Sequence, residues 1–287
     1  MKFPYGNADF YDLITSDYFY VDRTGYIPLI EEAGKALLFL RPRRFGKSLL
    51  ISTLENYYDV ARADAFERLF GHLAVGERPT PLHNQYFILK WNFSVVATHG
   101  SVDEIRRALH DHLNAGVKSF AQRYRAMLPL EIEFNSDNAL ASLESALMAV
   151  RSTPYDVYLL IDEYDNFANE VLMAGQRDSQ QRYEALIQGE GMLKTLFKAV
   201  KYGAEGQGID RMFITGVSPV VMSDITSGFN IAKNIYLEPM FNDLCGFWEH
   251  EIAGVVEQIA AECGATPEKA VEALEMMRTF YDGYSFA

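Results

Sequence analysis

Apolar positions in this chain fall into short unbroken runs that alternate with longer stretches of helical spacing. Lys35–Leu40 (KALLFL), bounded by Gly34 and Pro42, predicts a buried strand. Ser48–Val60 then carries apolar residues at 49, 50, 51, 54, 57 and 58, the stripe of a helix. After a Gly-, Pro- and His-rich loop at 71–84, Tyr86–Phe93 (YFILKWNF) predicts a second strand. Ser101 with Glu104 forms a capping-box pattern, followed by Ile105, Leu109, Leu113, Val117, Phe120 and Tyr124 on one helical face. A helix near 137–151 and a strand at Val157–Asp162 (VYLLID) come next.

Residues 181–202 read as helical, interrupted by Gly-Glu-Gly at 189–191, and Arg211–Val217 (RMFITGV) is a fourth strand. Further on, 233–237 suggests a short strand and Phe247–Glu262 a helix. Thr266-Pro267-Glu268 starts a last helix, with proline at its first position. Near the beginning, Tyr18–Asp22 is read as a short edge strand. Strands alternating with helices predict an α/β fold: a mostly parallel sheet flanked by helices, with a small helical region at the end.

Composition narrows the class. With 49% apolar and 23% charged residues, the 287-residue chain is globular and long enough for one large or two modest domains. The net charge of −13 argues against a protein that coats nucleic acid or a membrane surface. The longest apolar runs, about five residues around 36–40, are far short of the ~20 that span a bilayer. Cys245 and Cys263 lack metal-site spacing and read as reduced thiols, and the expected location is the cytoplasm. His110 and His112, two apart on a helix, point to different faces and do not suggest a metal site.

Against the acidic background stands one basic spot. Arg41, Arg43, Arg44 and Lys47 fall within the loop RPRRFGKS at 41–48, between the first strand and its helix. Gly46-Lys47-Ser48 is the second half of a P-loop. Glycine lets backbone N–H groups close on a phosphate, lysine reaches the terminal phosphates, and the hydroxyl ligates Mg²⁺. The helix beginning here aims its positive end at the same anion. Arg41 stands where the full pattern has glycine, and Pro42 biases it to an extended conformation. The expected nucleotide contacts are Arg41, Phe45, Gly46, Lys47, Ser48 and Leu49. Arg43 or Arg44 faces the anion as an arginine in cis, pairs with an acid at the site, or is simply solvated.

Well downstream, the third strand ends in Asp162-Glu163, which places two carboxylates at the sheet edge where α/β folds bind ligands. Asp162 is expected, with Ser48, to hold Mg²⁺, and Glu163 to orient or deprotonate the attacking water. Asp165 and Asn166 read first as helix caps and second as a partner contact. Thr215 at the end of the fourth strand, with Ser218 in reserve, either senses the terminal phosphate or satisfies local backbone. No Asn/Thr-Lys-x-Asp base-reading motif is present, which favours ATP over GTP.

RPRRFGKSLL (41–50), LLIDEYDN (159–166), FITGVSPV (213–220) and YDGYSF (281–286) resemble the bacterial AAA-ATPase-like family, as do YFYVDRT (18–24) and SGFN (227–230). The resemblance covers essentially the whole chain, and the missing first glycine is usual in that family. Asn92 departs from it, since members often have Asp there. The resemblance implies an additional-strand P-loop ATPase core over 1–238 and a helical region over 239–287. It also implies Mg²⁺ and ATP as cofactors, and commonly a C-terminal nuclease of the PD-(D/E)XK type. No such constellation follows YDGYSF, so the expectation is an ATPase module cut off before its effector. The effector is that nuclease or a partner, and DNA is reached only through it. The leading expectation is a slow, Mg²⁺-dependent ATPase acting as a regulatory switch, and the alternative is a non-hydrolysing, nucleotide-gated scaffold. Arg43 and Arg44 already lie in the loop, so a monomer or dimer fits as well as a ring.

Overall fold

Residues 1–173, 179–186, 191–219 and 230–280 are described by the computed structural model. The 281–286 motif, Val220, residues 227–229 and residues 189–190 of the Gly-Glu-Gly break lie outside the described residues. The centre is a five-stranded sheet of β1 (Ala36–Leu40), β2 (Tyr86–Asn92), β3 (Asp156–Asp162), β4 (Ile209–Gly216) and β5 (Lys233–Asn234). Every pairing is parallel, and the order is β2-β3-β4-β1-β5. The additional strand implied by the family resemblance is β4, which separates the strand leading into the basic loop from the strand ending in the two acids.

The unbroken apolar runs follow from burial on both faces. Side chains alternate across a strand, so a sheet covered on both sides needs apolar residues at every position. In β1, Leu38 and Leu40 join one core while Leu37 and Phe39 join the other. In β3, Val157, Leu159 and Ile161 face the first core, and Tyr158 and Leu160 the second.

On the second face lie α1 (Phe10–Thr15), α2 (Ile27–Ala33), α3 (Lys47–Tyr58) and α4 (Phe66–Phe70), with α5 (Ala74–Glu77) beside them. The first face is covered by α6 (Val102–Arg123), α7 (Ala139–Arg151), α8 (Asn166–Met173), α9 (Ser179–Leu186) and α10 (Met192–Ala204). The capping box of α6 forms as expected, with Ser101 N–H donating to Glu104 at 2.7 Å. After a 3₁₀ segment at Pro239–Leu244 come α11 (Glu249–Glu262) and α12 (Pro267–Phe280). No helix among the described residues is long and apolar enough to cross a membrane.

One expected strand is absent. Residues 18–22 pair with no strand, because Asp22 turns the chain: its carboxylate accepts from the backbone and hydroxyl of Thr24 (2.7 and 2.6 Å) and from Ala74 N–H (2.7 Å). Arg23 is thereby directed at Glu251, which it meets with two bonds of 2.6 and 2.7 Å.

The end of α3, which fixes the helix that begins at the basic loop, is anchored by Asp59. This fully buried carboxylate accepts from Ala61 N–H (2.9 Å) and Tyr124 OH (2.7 Å) and pairs with Arg123. Tyr124 OH in turn accepts from Ile88 N–H at 2.8 Å, so α3, α6 and β2 meet at one point. Removing the carboxylate strips Ala61 N–H and the buried Tyr124 OH of their acceptor, while Arg123 keeps Glu55 at 2.9 Å. Asp59→Ala is therefore expected to lower unfolding free energy by about 3 kcal/mol. Urea denaturation checks this, and a loss below about 0.5 kcal/mol would be that of an ordinary surface change.

Candidate functional site

Between β1 and α3 the chain makes a tight concave turn. Arg44 and Gly46 take left-handed backbone conformations, with φ of +69° and +93°. A Cβ on Gly46 would meet nothing within 4 Å, so its glycine serves the backbone angle and leaves open space at the helix start. Leu50 N–H bonds to Gly46 O at 2.9 Å, closing the first turn of α3 and leaving the preceding N–H groups at the loop.

Lys47 is 5% exposed and crosses the loop. Its Nζ donates to the carbonyls of Arg41 and Pro42 at 2.9 and 3.0 Å. An ammonium carries three donors, and those carbonyls take two. Burial pushes its pKa down, opposed by the charges of Glu163, Asp162 and Asp165.

The four cations of the loop have different fates. Arg41, expected among the nucleotide contacts, turns its guanidinium into the fold. It lies over the Phe39 ring and donates to the carbonyls of Leu40 (2.9 Å), Tyr236 (3.0 Å) and Phe241 (3.1 Å). Arg43 donates to Asn166 Oδ1 at 3.0 Å, and Arg44 is exposed. Phe45 is half-buried against Gly246, where an added Cβ would lie 3.3 Å from its ring, and half-buried Leu49 packs on the second core.

At the end of β3, Asp162 is 3% exposed and both its oxygens are bonded. Ser48 Oγ donates to Oδ2 at 2.6 Å, and fully buried Thr215 donates to Oδ1 at 2.5 Å. Since β4 lies between β1 and β3, Thr215 is the strand-end residue that can reach Asp162 from the middle. Glu163 follows with φ of +52°, a left-handed conformation costly for a side chain of its size and common at functional sites. Burial raises its pKa, the neighbouring Asp162 charge adds to that, and Lys47 and Arg43 oppose it.

Asp165 precedes the first residue of α8, with Asn169 N–H bonded to its carbonyl at 2.9 Å, and the side chains of Asp165 and Asn166 reach further. The Asp165 carboxylate accepts from the N–H groups of Val217 (3.1 Å) and Ser218 (2.7 Å), binding the β3 loop to the end of β4. Asn166 reaches Arg43 on one side and Glu170 on the other. Gly216 permits this closeness, because a Cβ there would sit 2.5 Å from Tyr164 and 2.7 Å from Asp165. Ser218 O accepts from Tyr164 OH at 2.6 Å. Asn92, opposite Asp162 in register, accepts from Ser94 N–H and Oγ at 2.9 and 2.7 Å.

Ser48 and Asp162 together offer hard oxygen donors at hydrogen-bonding distance, a donor set that suits Mg²⁺. That ion takes one or two protein oxygens and keeps several waters. Gly46, Lys47 and the first turn of α3 form the concavity beside them.

The parallel sheet, the strand inserted between basic loop and acids, and the glycine-lysine-serine turn define a P-loop NTPase fold. The chain belongs to the AAA-ATPase-like family, whose model, described as "Predicted AAA-ATPase", matches residues 4–226. A curated relative, an "Uncharacterized protein in vnfD 5'region" from Azotobacter chroococcum mcd 1, is 25% identical over 298 residues. The alignment covers 99% of this chain and 49% of that protein, so the chain spans about half the relative's length. No solved structure shows a significant match.

The environment of Glu163 has a consequence for stability. A carboxylate whose pKa is raised on folding destabilises the native state when charged, and that cost disappears as pH falls through the folded pKa. Glu163→Gln, neutral throughout, is expected to melt at a higher temperature than the native protein at pH 8, with the gap closing towards pH 4. A Tm at pH 8 equal to or below the native value would contradict this.

Proposed function

We propose that this chain is a Mg²⁺-dependent ATP-binding module that hydrolyses ATP slowly and serves as a regulatory switch for an attached or partner effector such as a nuclease. The observation that carries the reading is the meeting of Ser48, Asp162 and Thr215 beside the Lys47-closed loop. Hydrolysis needs triphosphate, metal and attacking water brought together, and this reading assigns their meeting to these groups.

In this reading the N–H groups from Phe45 to Leu49 bind the phosphates and Lys47 neutralises the terminal ones. Ser48 and Asp162 would hold Mg²⁺, which when bound neutralises charge on the phosphate oxygens. Glu163 accepts a proton from water as the water oxygen bonds to the terminal phosphorus and the bond to the bridging oxygen breaks, leaving ADP and phosphate. A raised pKa suits a group that must take a proton. Arg43 acts on the transferring phosphoryl group, Thr215 holds Asp162 in place, and Arg44 supplies positive charge at the rim.

The switch uses the bonds of Arg41 to Phe241 O (3.1 Å), and of Arg23 to Gly246 O (3.2 Å) and Glu251. They give a physical path from the core, taken as 1–238, to the helices of 239–287. The effector, and any DNA it handles, lies at the far end of that path.

Two variants test the site. Lys47→Ala is expected to remove ATP binding measurable by calorimetry. Glu163→Gln is expected to bind ATP normally but lose phosphate release by roughly 10²–10⁴-fold. Native-like affinity in Lys47→Ala would overturn the site. ATP binding by the native protein without phosphate release, even with an effector present, would select the nucleotide-gated scaffold.

A further inference from the structure

Arg43 leaves the loop on a side chain that is bonded at its far end. Its guanidinium donates to Asn166 Oδ1 at 3.0 Å, and an asparagine amide has one accepting edge and one donating edge. Glu170 sets which edge faces which way, because Asn166 Nδ2 donates to Glu170 Oε1 at 2.9 Å. The other oxygen of Glu170 accepts from Thr98 Oγ1 at 3.1 Å. Asn166 and Thr98 are 7% and 2% exposed, so the tether is rooted in the packed body, while Arg43 lies exposed on the loop. Asn166 and Glu170 are four apart in α8 and share one helical face.

The tether draws Arg43 to the acid side of the loop, because Asn166 opens α8 just past the end of β3 and its N–H bonds to Glu163 O at 3.0 Å. The Ser48–Asp162 pair lies on that acid side, where the proposed site puts the terminal phosphate of a nucleotide. An arginine has five N–H donors, so one bond to Asn166 leaves a fork for phosphate oxygens. Without the tether the long side chain would sample many rotamers in solvent, and ordering it on binding would cost affinity.

We infer that Asn166 is the positioning residue for Arg43, with Glu170 and Thr98 fixing its amide, and that this tether gives the site its preference for nucleoside triphosphate over diphosphate. The inference rests on the nucleotide site proposed above.

Calorimetry with Mg·ATP and Mg·ADP on the native protein, Arg43→Ala, Asn166→Ala, Glu170→Ala and the Arg43→Ala/Asn166→Ala double variant tests it. Arg43→Ala should lower the ratio of ATP to ADP affinity about tenfold, the loss expected for one charge-assisted contact. Asn166→Ala should reproduce most of that drop and Glu170→Ala, at an exposed position, part of it. ADP affinity should stay within about twofold, and the double variant should be no worse than Arg43→Ala alone, as for residues acting through one contact. An unchanged ratio in Asn166→Ala and Glu170→Ala, or in Arg43→Ala, overturns the inference. So does a loss that strikes ATP and ADP equally, the mark of a merely structural Asn166. A native protein that binds neither nucleotide overturns the underlying site as well.

Discussion

The position of one carboxylate, Asp162, fixes the relation between the phosphate loop and the acids. A buried acid is tolerated only when its oxygens are hydrogen-bonded, and here the donors come from two other segments: Ser48 at the start of α3 and Thr215 at the end of β4. Main-chain bonds reinforce the arrangement. Arg41 N–H reaches Gly216 O at 3.2 Å, and Tyr164 N–H reaches Thr215 O at 3.0 Å. The ends of β1, β3 and β4 are therefore held as a unit, and Glu163, Asp165 and Asn166 inherit their positions from it. The left-handed backbone at Glu163 is sustained by neighbours bonded on both sides.

The net charge of −13 says little about this site, and the basic cluster within it says less than its density suggests. Four cations adjacent in sequence part company in space. Arg41 goes inward to carbonyls, Lys47 across the loop, Arg43 sideways to Asn166 and Arg44 out to solvent. Local positive charge at the mouth comes chiefly from three of them. Arg41 instead bonds the loop to the segment that leads to α11. Cys245 lies on that same segment, where burial pushes its thiol up to about 12.

Most of the sheet was legible in the sequence because burial on both faces demands unbroken apolar runs, and because Gly and Pro mark where they stop. The P-loop half and the Asp-Glu pair were legible because their chemistry requires particular side chains in a particular order. The contacts of Arg41 were not, since its partners are main-chain carbonyls, which leave no signature in side-chain pattern. Nor was the bond from Arg43 to Asn166, which joins residues far apart in sequence; the Asp-Asn pair looked like a helix cap because those residue types do both jobs. Tyr18–Asp22 misled for a related reason. Its aromatic, β-branched run resembles a strand, but the Asp22 carboxylate turns the chain before it can pair.

Joint binding of the metal by Ser48 and Asp162, as proposed for the nucleotide site, can be tested with a paramagnetic ion. Electron paramagnetic resonance of Mn²⁺ and ATP titrated together into the native protein, Ser48→Ala and Asp162→Asn addresses it directly. The expected result is a protein-bound Mn²⁺–ATP signal in the native protein that weakens strongly in both variants. An undiminished signal in Asp162→Asn would contradict it.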